Sequence, residues 1–324
     1  MPAQRALAAP DSLKGVMAAA DAAEALVAGF AEGGAECEAL PIADGGEGSA
    51  AVLASVFGGD WRRATVADPL GRPVEARYLV LPDGTAIVEA AEAIGLPLLA
   101  PHERDPMSGS SAGLGEFLLA VLADRPASVL VCLGGTATVD GGRGLRRVLG
   151  ARLRDMPVRV ACDVDNPLLG ERGAARAFGP QKGAAPDQVV ELERRLAADE
   201  ELAPFADRRG AGAAGGLGAA LAALGAELLP GAELILDLLR FRERVRGAAL
   251  VVTGEGTVDA TTTEGKGPGA VLRICREEGV DCVLFGGRVV LAPAGAEVRA
   301  LSGRRERARE DLVELGAELA GRLL

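Results

Sequence analysis

The chain has 324 residues, 49% of them hydrophobic, with 46 acidic against 35 basic side chains and a formal charge of −11. That length buries a large core and sets a soft expectation of two domains, while the acidic balance excludes a nucleic-acid surface built from clustered Lys and Arg. A single histidine, His102, rules out histidine-rich zinc sites and H-E-x-x-H hydrolases. Five cysteines without a C-x-x-C pair point to a reducing, cytoplasmic setting. A signal-peptide pattern is absent at the start, and the uncharged stretch Ala211 to Ala226 is short and broken by glycine, so neither secretion nor membrane insertion is expected.

In chain order, Ala6 to Ala9 is a short apolar run, and Met17 to Glu32 carries apolar residues at helical spacing. Glu38 to Ala43 reads as the next strand and Gly48 to Phe57 as the next helix, which makes a parallel pair with a crossover. From Trp61 the texture changes. The β-prone runs Trp61 to Val66, Val74 to Leu81 and Thr85 to Ala90 are separated by Asp68-Pro69-Leu70-Gly71 and Pro82-Asp83-Gly84, which predicts an antiparallel meander and the start of a second domain. Strands are expected at Val129 to Leu133 and Val158 to Cys162, and helices at Leu114 to Asp124, Val189 to Ala198 and Gly218 to Leu229. Ala249 to Thr253 and Val280 to Phe285 return to buried parallel-strand texture. A terminal helix then aligns Leu312, Leu315, Leu319 and Leu323 on one face. The economical reading is one doubly wound α/β domain, 1–64 with 245–324, holding an inserted α/β domain, 65–244, that begins with the meander.

Four apolar runs end in glycine-rich or turn-rich loops bearing carboxylates: Asp44-Gly45-Gly46-Glu47-Gly48, Gly134 to Gly142, Asp163-Val164-Asp165-Asn166-Pro167, and Gly254-Glu255-Gly256-Thr257-Val258-Asp259. Loops at the carboxyl ends of strands are where open α/β sheets bind ligands, and glycine lets a ligand approach the backbone. Phosphate together with a cation is the chemistry such loops suit. Asp11 and Lys14 follow the first strand, where a lysine at a helix start calls for an anion or a carboxylate partner. Lys182 sits in the turn Gly179-Pro180-Gln181-Lys182-Gly183. Two familiar nucleotide motifs fail. The run from Gly210 to Gly215 satisfies G-x-G-x-x-G but follows no strand, and Glu264-Gly265-Lys266-Gly267 lacks the upstream glycine and the Ser/Thr of a Walker loop.

Taken together and in order, Ala9 to Gly15, Pro41 to Gly48, Asp68 to Gly71, Ser111 to Glu116, Leu133 to Thr138, Ala161 to Leu168, Phe178 to Ala184, Ala213 to Gly216 and Thr253 to Lys266 resemble the bacterial glycerate kinases whose members begin with a Pro-Asp-Ser-Phe-Lys-Gly motif. The resemblance implies a flavodoxin-like doubly wound domain with a second, mixed-sheet α/β domain inserted, and ATP-dependent phosphorylation of glycerate in a cleft between the two. The product it favours is 2-phosphoglycerate. Leu13, Val139 and Thr261 depart from the family's usual phenylalanine, asparagine and glutamine, and the segment after Phe285 is shorter and less family-like.

On that resemblance Asp163 and Asp165 are expected to act as metal ligands for Mg2+ or as base, and Lys14 and Lys182 to hold anionic groups during catalysis. Asp11, Asp44, Glu47 and Asn166 are expected to contact substrate. Gly134, Gly135, Thr136, Glu255, Asp259 and Lys266 are expected at the ATP side. The expected partners are small molecules, glycerate and ATP, with neither nucleic acid nor membrane, for a protein acting as monomer or homodimer. A kinase for another small hydroxy acid, or a non-catalytic protein binding glycerate or nucleotide, are the alternative readings.

Overall fold

The first apolar run is buried along its length, with Ala6, Leu7 and Ala8 at most 1% exposed, as a strand flanked on both sides in a parallel sheet must be. In the computed structural model, which describes residues 5–150, 152–153, 156–263 and 267–324, this run is strand β1 (Arg5–Ala8). It is followed by β2 (Glu36–Ala39), β3 (Asp60–Ala67), β4 (Pro73–Val80), β5 (Thr85–Glu89), β6 (Ser128–Leu133), β7 (Val158–Cys162), β8 (Glu227–Pro230), β9 (Leu250–Val258), β10 (Asp281–Val289) and β11 (Glu297–Ala300). The strands form two sheets in two compact units, one of Met1–Asp44, Ala51–Val56 and Ala232–Leu324, the other of Gly45–Ala50 and Phe57–Gly231.

The first unit holds a five-stranded sheet in the order β11-β10-β9-β1-β2, parallel throughout. Counted along the chain within the unit this is the flavodoxin-like doubly wound order, and its direction reverses between β1 and β9. Helices Ala19–Glu32 and Ala308–Ala320 pack against one another through glycines. A Cβ on Gly29 would lie 2.1 Å from the Val313 carbonyl oxygen, and one on Gly316 would lie 2.5 Å from that of Leu26. Leu312, Leu315 and Leu319 are buried in this core, as their spacing predicts, and Leu323 packs at its margin.

The second unit holds a six-stranded mixed sheet, β3-β4-β5-β6-β7-β8. Its first three strands are the antiparallel meander, and the pairs from β5 to β8 are parallel. Besides Gly45–Ala50, the unit takes the chain continuously from Phe57, since β3 pairs with β4 along its whole length, from Asp60 opposite Val80 to Ala67 opposite Pro73. The chain leaves it after Gly231 rather than 244, so the helices Gly231–Leu238 and Phe241–Val245 belong almost wholly to the first unit.

Two short edge strands depart from the sequence expectation. The helix expected over Gly218 to Leu229 ends at Ala223 and is regular only after Ala214, Gly215 and Gly216, which have positive φ, while Glu227–Pro230 instead extends the second sheet as β8. Strand β11, Glu-Val-Arg-Ala, closes the first sheet. Edge strands are short and carry charge because one side faces solvent, which erases the pattern by which strands are recognised. No helix among the described residues is long and apolar enough to cross a membrane.

Candidate functional site

In the first unit, the segments following β1 and β2 and the carboxyl-terminal parts of β9 and β10 line a cavity of about 480 Å³. It opens at the reversal between β1 and β9, the point at which doubly wound sheets bind ligands. The backbone sets its floor: the Asp11 N–H donates to the Gly254 carbonyl at 2.9 Å, and the Ile42 N–H donates to the Pro10 carbonyl at 2.9 Å. Asp11, Lys14, Asp44, Glu255 and Asp259, picked out separately in the sequence, all border this one space.

Their environments differ. Asp11 and Asp44 are buried. Burial, with the neighbouring Asp44 carboxylate adding to it, pushes the Asp11 carboxyl up to about 7, against the opposing pull of the Ser12 N–H and of Lys14. Lys14 stands on the tight turn between Leu13 and Met17, its side chain 80% exposed and its Nζ 3.7 Å from Asp44 Oδ2. At that exposure the pair contributes little to stability. Asp259 caps the turn that follows, its Oδ1 accepting from the Thr261 N–H at 2.8 Å and the Thr261 hydroxyl at 2.6 Å. Lys266 lies outside the described residues.

In the second unit, Lys182 is buried although it was read as a turn lysine. Its Nζ donates to Thr136 Oγ1 at 3.1 Å and to the Thr138 carbonyl at 2.8 Å. Burial lowers its pKa to about 7, with the Asp140 carboxylate opposing the shift. An amine poised there can clamp an anion or accept a proton near neutrality. Gly134 and Gly135 pack on the acidic-glycine loop: a Cβ on Gly134 would meet Gly46 Cα at 2.9 Å, and one on Gly135 would sit 3.3 Å from Glu47 Oε2. Close backbone approach thus explains the glycine at 134. Asp140 is architectural, accepting from the N–H groups of Ser111, Gly142 and Gly144 and from the Ser111 hydroxyl.

The loop after β7 separates residues that the sequence reading grouped. Asp165 is ion-paired to Arg172 at 2.6 Å with half of its side chain exposed, and Asn166 Nδ2 donates to the Arg172 carbonyl at 2.6 Å. Asp163, half-buried, adjoins the buried Cys162, whose thiol is pushed up to about 12 by burial first and by Asp163 second. The run from Gly210 to Gly216 packs on this region. A Cβ on Gly212 would lie 2.2 Å from the Pro167 carbonyl oxygen, and one on Gly215 would lie 2.1 Å from that of Thr138. Its glycines serve packing, in agreement with the missing strand before it.

The glycerate kinase family model matches residues 6–157 and 151–302 of the chain. The chain belongs to the glycerate kinase family. It is 39% identical over 309 residues to the glycerate 2-kinase of Escherichia coli (strain K12), covering 83% of this chain and 81% of that one. With a glycerate kinase of Halalkalibacterium halodurans it shares 38% identity over 319 residues, 86% of this chain and 84% of the relative. The crystal structure of a candidate glycerate kinase 2 from Salmonella typhimurium LT2 superposes with a TM-score of 0.87 at 32% identity, covering 99% of this chain and 98% of that one.

The departures from the family pattern have definite surroundings. Val139, where the family resemblance calls for an asparagine, is 1% exposed and packs in the core of the second unit. Thr261 keeps a hydrogen-bonding role through its hydroxyl on Asp259. Asp163 and Asp165, the residues expected to meet Mg2+, differ in their surroundings. Asp165 has given an oxygen to Arg172, and no cluster of at least three His, Cys, Asp or Glu suited to a metal ion occurs among the described residues.

Sequence reading missed four residues. Glu89 ends β5 buried, its Oε1 accepting from the Ala50 N–H at 2.7 Å, and burial raises its pKa. Its signal was an acid ending an apolar strand. Arg288, Arg304 and Arg305 line the cavity of the first unit. The signal for Arg288 was Gly286-Gly287-Arg288, a glycine pair at a strand end in a basic version.

Proposed function

We propose that the protein transfers the γ-phosphoryl group of ATP to the 2-hydroxyl of glycerate. The observation that carries this reading is membership of the glycerate kinase family, with 39% identity to a glycerate 2-kinase over most of both chains. Phosphoryl transfer asks a protein for alignment and charge neutralisation more than for covalent participation. Lysines and carboxylates at strand ends suit that task in a chain with one histidine.

In this reading Lys14 and Lys182 neutralise anionic groups of the two substrates, and Asp44 and Glu47 hold glycerate hydroxyls. Asp163 takes the hydroxyl proton. It is preferred over Asp165 because one oxygen of the Asp165 carboxylate is occupied by Arg172. Magnesium is expected to arrive on the nucleotide phosphates, since Mg2+ is commonly held by substrate oxygens, waters and one or two carboxylates. The cysteines are free thiols, which supports a cytoplasmic location.

Incubation of the purified protein with D-glycerate and MgATP, followed by phosphorus NMR, tests reaction and position together. The expected product is 2-phosphoglycerate; 3-phosphoglycerate would overturn the position, and absence of both would overturn the reading. Asp163→Asn is expected to lower kcat by about 10²-fold or more with an unchanged melting temperature. Full activity in that variant would remove Asp163 from the reaction.

A further inference from the structure

The cavity of the first unit carries a basic wall that the roles above leave unused. We infer that Arg288, Arg304 and Arg305 bind an oligophosphate, the phosphate chain of the nucleotide donor. The inference rests on the reading of the protein as an ATP-dependent kinase.

The three side chains come from two separate segments, the end of β10 and the stretch after β11, and border the same cavity. The segments are bound together. The Leu301 N–H donates to the Gly286 carbonyl at 2.9 Å, and a Cβ on Gly303 would lie 3.6 Å from the Gly287 carbonyl oxygen. Arg288 and Arg304 each follow one of these two glycines, so their backbones start from neighbouring points. Gly303 has φ +74°, a conformation that side chains other than glycine rarely adopt, which fixes the turn delivering Arg304 and Arg305.

Most arginines of the unit that lie near carboxylates are ion-paired, whereas the three on this cavity wall are not. Arg242, Arg246, Arg273, Arg299, Arg307 and Arg322 all have carboxylate partners. Among the described residues no carboxylate lies within ion-pair distance of Arg288, Arg304 or Arg305, in a chain whose acids outnumber its bases 46 to 35. Arg304 and Arg305 also stand immediately before the helix Ala308–Ala320, at the end where the helix dipole disfavours cations. An anion in the cavity would compensate that placement.

The ligand class follows from the number and shape of the donors. Guanidinium forks match phosphate oxygens two at a time. The single carboxylate of a three-carbon acid cannot occupy three of them, whereas a phosphate chain can. The volume of about 480 Å³ lies within the range of roughly 300–1,000 Å³ of pockets for nucleotide-sized ligands. Asp11, Asp44, Glu255 and Asp259 line the cavity away from the arginines and repel a bare anion, while Asp311, which also lines it, is held by the Ser302 N–H and hydroxyl and lies 3.8 Å from Arg307.

Isothermal titration of the full-length protein with tripolyphosphate and with ADP tests the subsite without turnover. Steady-state kinetics with ATP and glycerate test it in action. Arg304→Gln/Arg305→Gln and, separately, Arg288→Gln are expected to weaken tripolyphosphate binding and to raise the KM for ATP by about tenfold or more, with the KM for glycerate unchanged. Arg273→Gln, on an ion-paired arginine elsewhere in the unit, serves as the control with neither effect. Unchanged tripolyphosphate affinity and ATP KM in both variants would overturn the inference, as would a rise confined to the KM for glycerate. A wild-type protein that forms no phosphoglycerate yet loses tripolyphosphate binding on substitution would refute the kinase reading while retaining the subsite.

Discussion

Lys182→Met isolates the cost of a buried amine. Lys182 is 4% exposed, has two hydrogen-bond acceptors, and its pKa falls from 10.5 to about 7 because burial disfavours the ammonium. The folded state therefore releases the proton near pH 7, while the unfolded chain holds it until about 10.4. Between these values the unfolded state binds more protons, so stability rises with pH, and below pH 7 the full cost of the buried charge is present. The gap from 10.5 to about 7, about 3.5 pH units at ~1.36 kcal/mol each, sets an upper bound of roughly 5 kcal/mol, which local relaxation reduces to about 2–3 kcal/mol. Methionine removes the charge and leaves Thr136 Oγ1 and the Thr138 carbonyl without this donor, at about 1–2 kcal/mol. The variant is thus expected to equal or exceed wild type in stability at pH 6 and to fall below it at pH 10. Urea unfolding of both proteins across pH 6–10 measures the difference, in which titrations common to both cancel. A difference that stays flat over that range would refute a depressed Lys182 pKa.

Asp11 offers the opposite sign in a different window. Its folded pKa of about 7 lies above the ordinary 3.8, so stability is lost as pH rises from about 4 to 7, and Asp11→Asn is expected to stabilise by up to about 4 kcal/mol above pH 7 and not at pH 4. Melting curves at pH 4 and 8 check it, and an equal shift at both would contradict the proposed cause. At the helix contact, Gly29→Ala forces a methyl to within 2.1 Å of a backbone oxygen and is expected to destabilise by about 1–3 kcal/mol, read as a lowered urea midpoint. A midpoint equal to that of wild type would mean the two helices separate freely.

The short strands β1, β6 and β7 were legible because each is an almost unbroken apolar run, and the meander because Asp68-Pro69-Leu70-Gly71 and Pro82-Asp83-Gly84 mark its turns. Edge strands β8 and β11 were not, since a strand paired on one side needs no apolar pattern. The carboxylates of the first unit were legible one by one from their loops. Their meeting in one cavity was not, because it depends on β1 and β9, far apart in the chain, lying side by side.

By itself the sequence determined the class of fold, the family and the chemical character of the strand-end loops, because apolar periodicity, glycine placement and residue type are local properties. Only the tertiary structure decided what each polar group is used for. It made Asp140 a helix cap, Val139 a core residue and Lys182 a buried amine, tied Asp165 to Arg172, and gathered Arg288, Arg304 and Arg305 on one wall. Burial and partners set the charge state and availability of a side chain, and both come from residues distant in sequence.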